Sequence, residues 1–349
     1  MSCKMSGKHS VLLPDLLEPA DGARIRTPAQ WMSQRQQLLG ALVALQYGGL
    51  PEATRARHEV LHVATSRQFA GAQVLSLRIF PAPPSPFSFA LRLTVPAADG
   101  PVPVVLTGDA CWTYATDAVV AEVLRRGFVL AQFNRAELAA DAGHGRRDNG
   151  IYTVLGGSTF GAIAAWAWGY HRCVDVLSGL PMLDPQRIAI TGHSRGGKAS
   201  LLAGATDGRI ALTHANNSGA AGAGCYRDQG PGAETLADLL RDFGHWLGPG
   251  MGAYAGREAQ LPFDQHTLKA LVAPRLLLTT EARQDLWANP QGTWTTHLAA
   301  REVYALLGVP DHIACVLRDG DHQHSWADWC SFLDVADTMP GRAPSAVAN

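Results

Sequence analysis

A serine flanked by glycines and followed by two cations, in Thr191-Gly192-His193-Ser194-Arg195-Gly196-Gly197-Lys198, has the make-up of a nucleophile held in a tight turn. In a Gly-x-Ser-x-Gly elbow the hydroxyl sits at a strained strand-to-helix turn. Gly192 and Gly196 there leave open the space that side chains would fill. The segment before it, Arg187 to Ile190, is short and apolar, and the one after it is rich in Ala and Leu, so strand, elbow and helix stand in the required order. Such a turn lifts the Ser194 hydroxyl toward a base and aims backbone N–H groups of a helix N-terminus at a developing oxyanion. The chemistry to expect is nucleophilic acyl transfer.

A serine hydroxyl needs a base, and the imidazolium formed by that base needs an anion beside it. In α/β-hydrolases the chain order is Ser, acid, His, with the last two on loops after late strands. The last apolar strand runs into Arg318-Asp319-Gly320-Asp321-His322-Gln323-His324. His322, first after the glycine turn, is the preferred base and His324 the alternative. The strand Arg275 to Thr280 is followed by Glu281-Ala282-Arg283-Gln284-Asp285-Leu286-Trp287. Both Glu281 and Asp285 are expected on that loop, and Asp285, deeper in it and beside Trp287, is the preferred acid. Its bland alternative is a helix cap. His322 and His324 with Asp321 also admit a metal pair, but no third ligand cluster follows at a suitable spacing, so no metal and no cofactor are expected.

These residues need a sheet to carry them. From Val102 onward short continuous apolar runs alternate with helical segments: Val102 to Leu106, Phe128 to Phe133, Ile188 to Thr191, Ile210 to Ala215, Arg275 to Thr280 and Ile313 to Leu317. Runs of this kind are buried parallel strands. Helices are expected over Thr116 to Arg126, Thr159 to Ser178 and Ala199 to Ala205. Upstream, Thr27-Pro28 opens a helix to Tyr47, and Val74 to Phe80 with Phe89 to Val95 alternate as an antiparallel pair at the sheet edge. The expected architecture is an α/β-hydrolase fold, a three-layer sandwich with a mostly parallel central sheet flanked by helices. It is read as one domain over residues 1–349 with an N-terminal helical extension of about 1–60. The connections Asp228 to Gln260 and Ala136 to Gly156 are expected to frame the cleft.

Composition narrows the partners. The 349 residues are 47% hydrophobic and 17% charged, enough for one large core. Lys plus Arg number 29 against 30 Asp plus Glu, so no basic surface calls for nucleic acid, and a neutral or small substrate fits better than a polyanion. The longest apolar stretch, Phe160 to Tyr170, is about half a membrane span. No membrane association is expected. Six scattered cysteines read as free thiols, and the N-terminus lacks an apolar run long enough for an export signal. As written the chain reads as cytoplasmic, with a secreted or periplasmic location if it has been trimmed. The sequence leaves the oligomeric state open.

Several ordered segments resemble the glucuronoyl esterases, carbohydrate esterase family 15, in their bacterial branch. They are Leu13-Pro14-Asp15 with Thr27-Pro28-Ala29-Gln30-Trp31, Gly161 to Gly169, the elbow Gly192 to Lys198, Leu261-Pro262-Phe263-Asp264-Gln265-His266 with Ala273-Pro274-Arg275, and Asp285-Leu286-Trp287-Ala288-Asn289-Pro290. The resemblance implies cleavage of an ester between a glucuronic acid carboxyl, often 4-O-methylated, and an alcohol. It implies that Ser194 attacks that carboxyl carbon, that Arg195 adds a cationic donor to the oxyanion hole, and that Lys198 hydrogen-bonds sugar hydroxyls. Trp287 is placed to stack on a sugar face. The partner is then a small-molecule or saccharide ester.

Departures from the family pattern matter. Many members carry a catalytic Glu in a Glu-Ser-Gly context after the strand that follows the elbow helix, where this chain has Asn217-Ser218-Gly219. A neutral amide cannot stabilise an imidazolium, so the acid is expected on the later loop, a placement seen in bacterial members, and Asn217→Asp is expected to change little. The cysteine pair that brackets the serine and histidine in fungal members is replaced by His193 and Gln323. The competing readings are a general carboxylesterase on small aryl or alkyl esters, a non-catalytic binding protein on a hydrolase fold, and a metal-dependent hydrolase.

Overall fold

Thr27 begins the first helix as its spacing implies. In the computed structural model, which describes residues 12–18, 22–52, 54–69, 71–112, 115–141, 147–155 and 159–341, its side chain accepts from the Gln30 N–H, and the Gln30 side chain answers at the cap backbone. Pro28 fits the first turn of this helix, α1 (Pro28–Tyr47), and Gly48 closes it in the left-handed region. Residues 1–11 of the expected N-terminal extension, Cys3 among them, lie outside the described residues.

The chain continues through β1 (Arg57–Thr65), β2 (Gln73–Phe80), β3 (Phe89–Val95), β4 (Val102–Thr107), α2 (Asp117–Arg125), β5 (Val129–Phe133), α3 (Ala162–Leu177), β6 (Leu183–His193), α4 (Arg195–Thr206) and β7 (Ile210–Asn216). It ends with α5 (Leu236–Phe243), α6 (Gln265–Ala270), β8 (Leu276–Ala282), α7 (Pro290–Leu306), β9 (Ile313–Arg318) and α8 (Trp326–Ala336). The strands form one sheet in the order β1-β2-β3-β5-β4-β6-β7-β8-β9. From β5 through β9 every pairing is parallel, and β1, β2 and β3 extend it in antiparallel fashion.

Side-chain alternation sorts the helices into layers. Val104 and Leu106 of β4 face a core completed by α1, α3, α4, α6 and α7, while Val105 between them faces α2 and α8. Both faces of the central strands are therefore covered, which is why their sequences read as unbroken apolar runs. A fully buried Val or Leu in such a layer stabilises the fold by about 1.5–3 kcal/mol. This is the expected three-layer α/β-hydrolase arrangement.

Three differences from the sequence reading have physical causes. The β2–β3 pair is not the edge, because β1 pairs outside β2, and β1 is nearly exposed along its length, so it shows no alternation to detect. Helix α4 starts at Arg195, four residues before the expected start, since Gly196, Gly197 and Gly204 dilute its helical composition. Those glycines serve packing: a Cβ on Gly204 would stand 1.9 Å from Thr213 Oγ1, on β7. Finally, β8 continues two residues past Thr280, which places Glu281 inside the strand rather than on the loop.

Among the described residues no helix is long and apolar enough to cross a membrane. The five cysteines among the described residues are free, Cys173 and Cys225 buried and Cys111, Cys315 and Cys330 partly so.

Candidate active site

Strand β4 is flanked by β5 on one side and β6 on the other, so the chain reverses its direction of travel across the sheet there. In open α/β sheets the crevice beyond the strand ends at such a point binds ligands. Ser194 sits there, between the end of β6 and the start of α4, with φ of 55° and ψ of −122°. A backbone strained in this way is held by its surroundings. Its N–H donates to Asn216 O at 2.9 Å, and a Cβ on Gly192 would meet Gly196 O at 2.2 Å. A Cβ on Gly196 would meet Asp109 Oδ1 at 2.0 Å. Asp109, just past β4, accepts from the His193 N–H at 2.7 Å and is paired with the buried Arg135. The turn thus has no room for larger residues at either glycine.

His322 and Asp285 meet beside it. Nδ1 of His322 lies 2.5 Å from Asp285 Oδ2, and because an ionised carboxylate only accepts, Nδ1 carries the proton and Nε2 is left free to take one. Asn217 Nδ2 donates to the same oxygen at 2.6 Å. Burial pushes the Asp285 carboxyl up, but the hydrogen bonds from His322 and Asn217 outweigh it and hold the group below its ordinary value. Asp285 also accepts weakly from the Ala288 N–H, so it caps the short turn Leu286–Ala288 as well. Ser194 and His322 line the same two cavities.

The alternatives for base and acid take other partners. His324 is partly buried and stacks on Trp329 with ring centroids 4.6 Å apart, and desolvation followed by the neighbouring His214 and His193 holds it far below the usual imidazole value. Glu281 is buried within β8, where desolvation raises its carboxyl to about 8, and it accepts from Thr293 Oγ1 at 3.2 Å. Neither reaches the Asp285–His322 pair by a hydrogen bond.

Arg195 and Lys198 lie in the first turn of α4, directly after Ser194. Arg195 Nη1 donates to Asp141 Oδ2 at 2.8 Å, and its guanidinium carbon lies 5.0, 5.2 and 4.9 Å from the ring centroids of Trp112, Phe243 and Trp246. This aromatic cage holds the cation in place. Arg195 Nε is buried with no acceptor among the described residues, a donor costly to leave without one. Trp246 Nε1 shares the arrangement, donating to Asp141 Oδ1 at 2.9 Å.

Lys198 is buried and donates to Glu234 Oε2 at 2.9 Å and to the Ala220 carbonyl. With Trp246 and Trp287 these residues line a pocket of about 130 Å³ that opens beside Ser194 and His322. Trp287 is 45% exposed, so it belongs to the rim and not to the core. A wider cleft of about 740 Å³ also opens at Ser194, Arg195 and His322, lined by Trp112, Val119, Trp326 and Trp329 among others.

Sequence reasoning missed Glu234, Trp246, Phe243 and Asp141. The first three come from the connection Asp228 to Gln260 and Asp141 from Ala136 to Gly156, of which residues 142–146 and 156 lie outside the described part. The Asp228 to Gln260 connection lines the small pocket through Glu234, Phe243 and Trp246, whereas the Ala136 to Gly156 connection bears on it through the Asp141–Arg195 pair, and no local spacing marks which of their side chains turn inward.

The fold and this rim define an α/β-hydrolase with a serine elbow and a carboxylate-bound histidine. The family model for "Glucuronyl esterase, fungi" matches residues 84–308, more than half of the chain. A 4-O-methyl-glucuronoyl methylesterase of Phanerochaete chrysosporium is 30% identical, with 92% of this chain and 68% of that protein covered. Among solved structures, a family 15 glucuronoyl esterase from Caldicellulosiruptor kristjansonii superposes with a TM-score of 0.80 at 30% identity, covering 96% of this chain and 92% of that one. A promiscuous family 15 esterase from a marine bacterial metagenome gives 0.83 at 27% identity, covering 94% and 97%. The chain belongs to the glucuronoyl esterases, carbohydrate esterase family 15, a family of carboxylic ester hydrolases.

Proposed function

We propose that the protein hydrolyses esters of glucuronic acid through an acyl-enzyme on Ser194. The observation that carries this reading is the Asp285–His322 hydrogen bond formed at the strand end that presents the serine elbow. His322 Nε2 takes the Ser194 proton, and the alkoxide adds to the carboxyl carbon. The oxyanion rests on backbone N–H groups of the elbow and on the caged Arg195 guanidinium. His322 then gives its proton to the leaving alcohol, the C–O bond breaks, and a water deprotonated by the same imidazole releases the acid.

The pocket holding Lys198, Glu234 and Trp287 supports a sugar as the acyl group. A buried cation and carboxylate offer a donor and an acceptor to neighbouring hydroxyls, and a half-exposed indole offers a flat apolar face. The alcohol departs on the wider, aromatic-lined side. Of the two locations the sequence leaves open, the exported one suits an ester carried on a polymer.

Benzyl glucuronate and 4-nitrophenyl acetate separate this reading from a general carboxylesterase. A kcat/KM higher for the glucuronate by about a hundredfold or more is expected, because only that substrate uses the sugar pocket. Equal or reversed preference favours the general esterase. Arg195→Met is expected to lower kcat by about 10²–10³, the usual loss for one oxyanion donor, with little change in KM. Steady-state kinetics on benzyl glucuronate check it.

A further inference from the structure

Behind Asp285, the ends of β6 and β7 carry a chain of side chains that the acyl-transfer steps do not use. Asn217 Nδ2 donates to Asp285 Oδ2 at 2.6 Å, and Asn216 Nδ2 donates to Asn217 Oδ1 at 3.0 Å. His193 Nδ1 lies 2.5 Å from Asn216 Oδ1. The His193 ring then reaches back to His322, with centroids 4.6 Å apart, so the path closes on itself.

Every amide in this path has a forced orientation. The Thr280 carbonyl can only accept, and Asn216 Nδ2 faces it at 3.3 Å, so Asn216 Oδ1 must face His193. Asn217 must then turn Oδ1 to Asn216 and Nδ2 to the carboxylate. The backbone adds a second constraint: Asn217 has φ of 44°, a left-handed conformation in which Asn is among the better tolerated residues, and its N–H donates to Thr280 O at 2.9 Å. Asn216 and Asn217 are both fully buried.

We infer that Asn217 is a positioning residue that pins the Asp285 oxygen used by His322, with Asn216 and His193 fixing the direction of its amide. The inference rests on the ester-hydrolase reading above. Without Asn217 the carboxylate would keep only the His322 bond and the long Ala288 N–H contact of 3.4 Å on its other oxygen, whereas the 2.6 Å Asn217 bond adds a second close donor on the oxygen that His322 uses. Neutrality at position 217 is equally required. An aspartate there would set two carboxylates in hydrogen-bond contact, and such a pair shares a proton instead of offering a simple anion to the imidazolium. On this inference Asn217→Asp lowers activity, in place of the small change that the sequence alone led one to expect.

The groups that bear on this position are Asp285 and His322 from the loops after β8 and β9, and His193 from β6. Lys198 of α4, Glu234 of the long connection and Arg195 stand across the small pocket, and Glu281 is buried in β8. The test is kcat and KM for benzyl glucuronate against pH in Asn217→Asp, which keeps the shape, and in Asn217→Gly, which keeps the positive φ without a side chain. Circular dichroism verifies that each variant is folded. Asn217→Asp is expected to lower kcat at neutral pH by about tenfold or more with KM within about twofold, and to move the acid limb of kcat/KM upward by about one unit. Asn217→Gly is expected to lose about tenfold in kcat with a smaller displacement of that limb. Wild-type kcat and an unmoved acid limb in Asn217→Asp, alongside an inactive Asp285→Asn variant, overturn the inference while leaving the esterase reading intact. If Asp285→Asn is itself fully active, the relay falls and this inference with it.

Discussion

Ser194→Ala is expected to lower kcat on benzyl glucuronate by about 10⁶, close to the loss seen when a serine-hydrolase nucleophile is removed. The reasoning is local. Ser194 is held with φ of 55° at the junction of β6 and α4, where Gly192 and Gly196 have no space for side chains, so the turn fixes its hydroxyl beside His322. Alanine keeps the turn, since the removed atom makes no contact on which the elbow depends. The Arg195 cage, the elbow N–H groups and the sugar pocket stay in place, and the residual rate measures what they contribute without a nucleophile. KM is expected to change little. Retention of more than about a tenth of the activity would assign the attack to another group.

Asp285→Asn is expected to lower kcat by up to about 10⁴. Asp285 Oδ2 receives two donors, His322 Nδ1–H and Asn217 Nδ2–H, and Oδ1 receives the Ala288 N–H. An amide cannot serve all three. With its oxygen toward His322 its NH2 confronts the Ala288 N–H, and with its NH2 toward His322 it forces the imidazole proton onto Nε2, the atom that must accept from Ser194. Either orientation also removes the charge that stabilises the imidazolium. Wild-type kcat in this variant would transfer the role to another carboxylate. Glu281 would be a poor choice, since it lies inside β8 with its carboxyl raised to about 8 by burial.

What the sequence makes legible follows from how local each constraint is. The elbow is readable because three residues, Gly192, Ser194 and Gly196, are dictated by one turn, and the central strands because burial on both faces leaves no alternation. The loop holding Asp285 is readable from the end of an apolar run, although the strand's extension to Ala282 is not, because a glutamate at 281 does not look like buried strand. Lys198 and Arg195 are visible in the elbow, but their partners Glu234 and Asp141 are not. Those carboxylates arrive from 36 and 54 positions away on connections whose course is set by packing and not by any period. Asn217 is visible only as a departure from a family pattern. Its donation to Asp285, 68 positions along, requires the β7 and β8 ends to be side by side.

The relay from Asp285 through His322 to Ser194 is tested most directly by labelling with a fluorophosphonate and mapping the modified peptide by mass spectrometry, with and without competing benzyl glucuronate. Modification of Ser194 alone, slowed by the glucuronate and nearly abolished in Asp285→Asn, is the expected result. Labelling of any other residue, or of Ser194 at an unchanged rate when Asp285 is replaced, would contradict it.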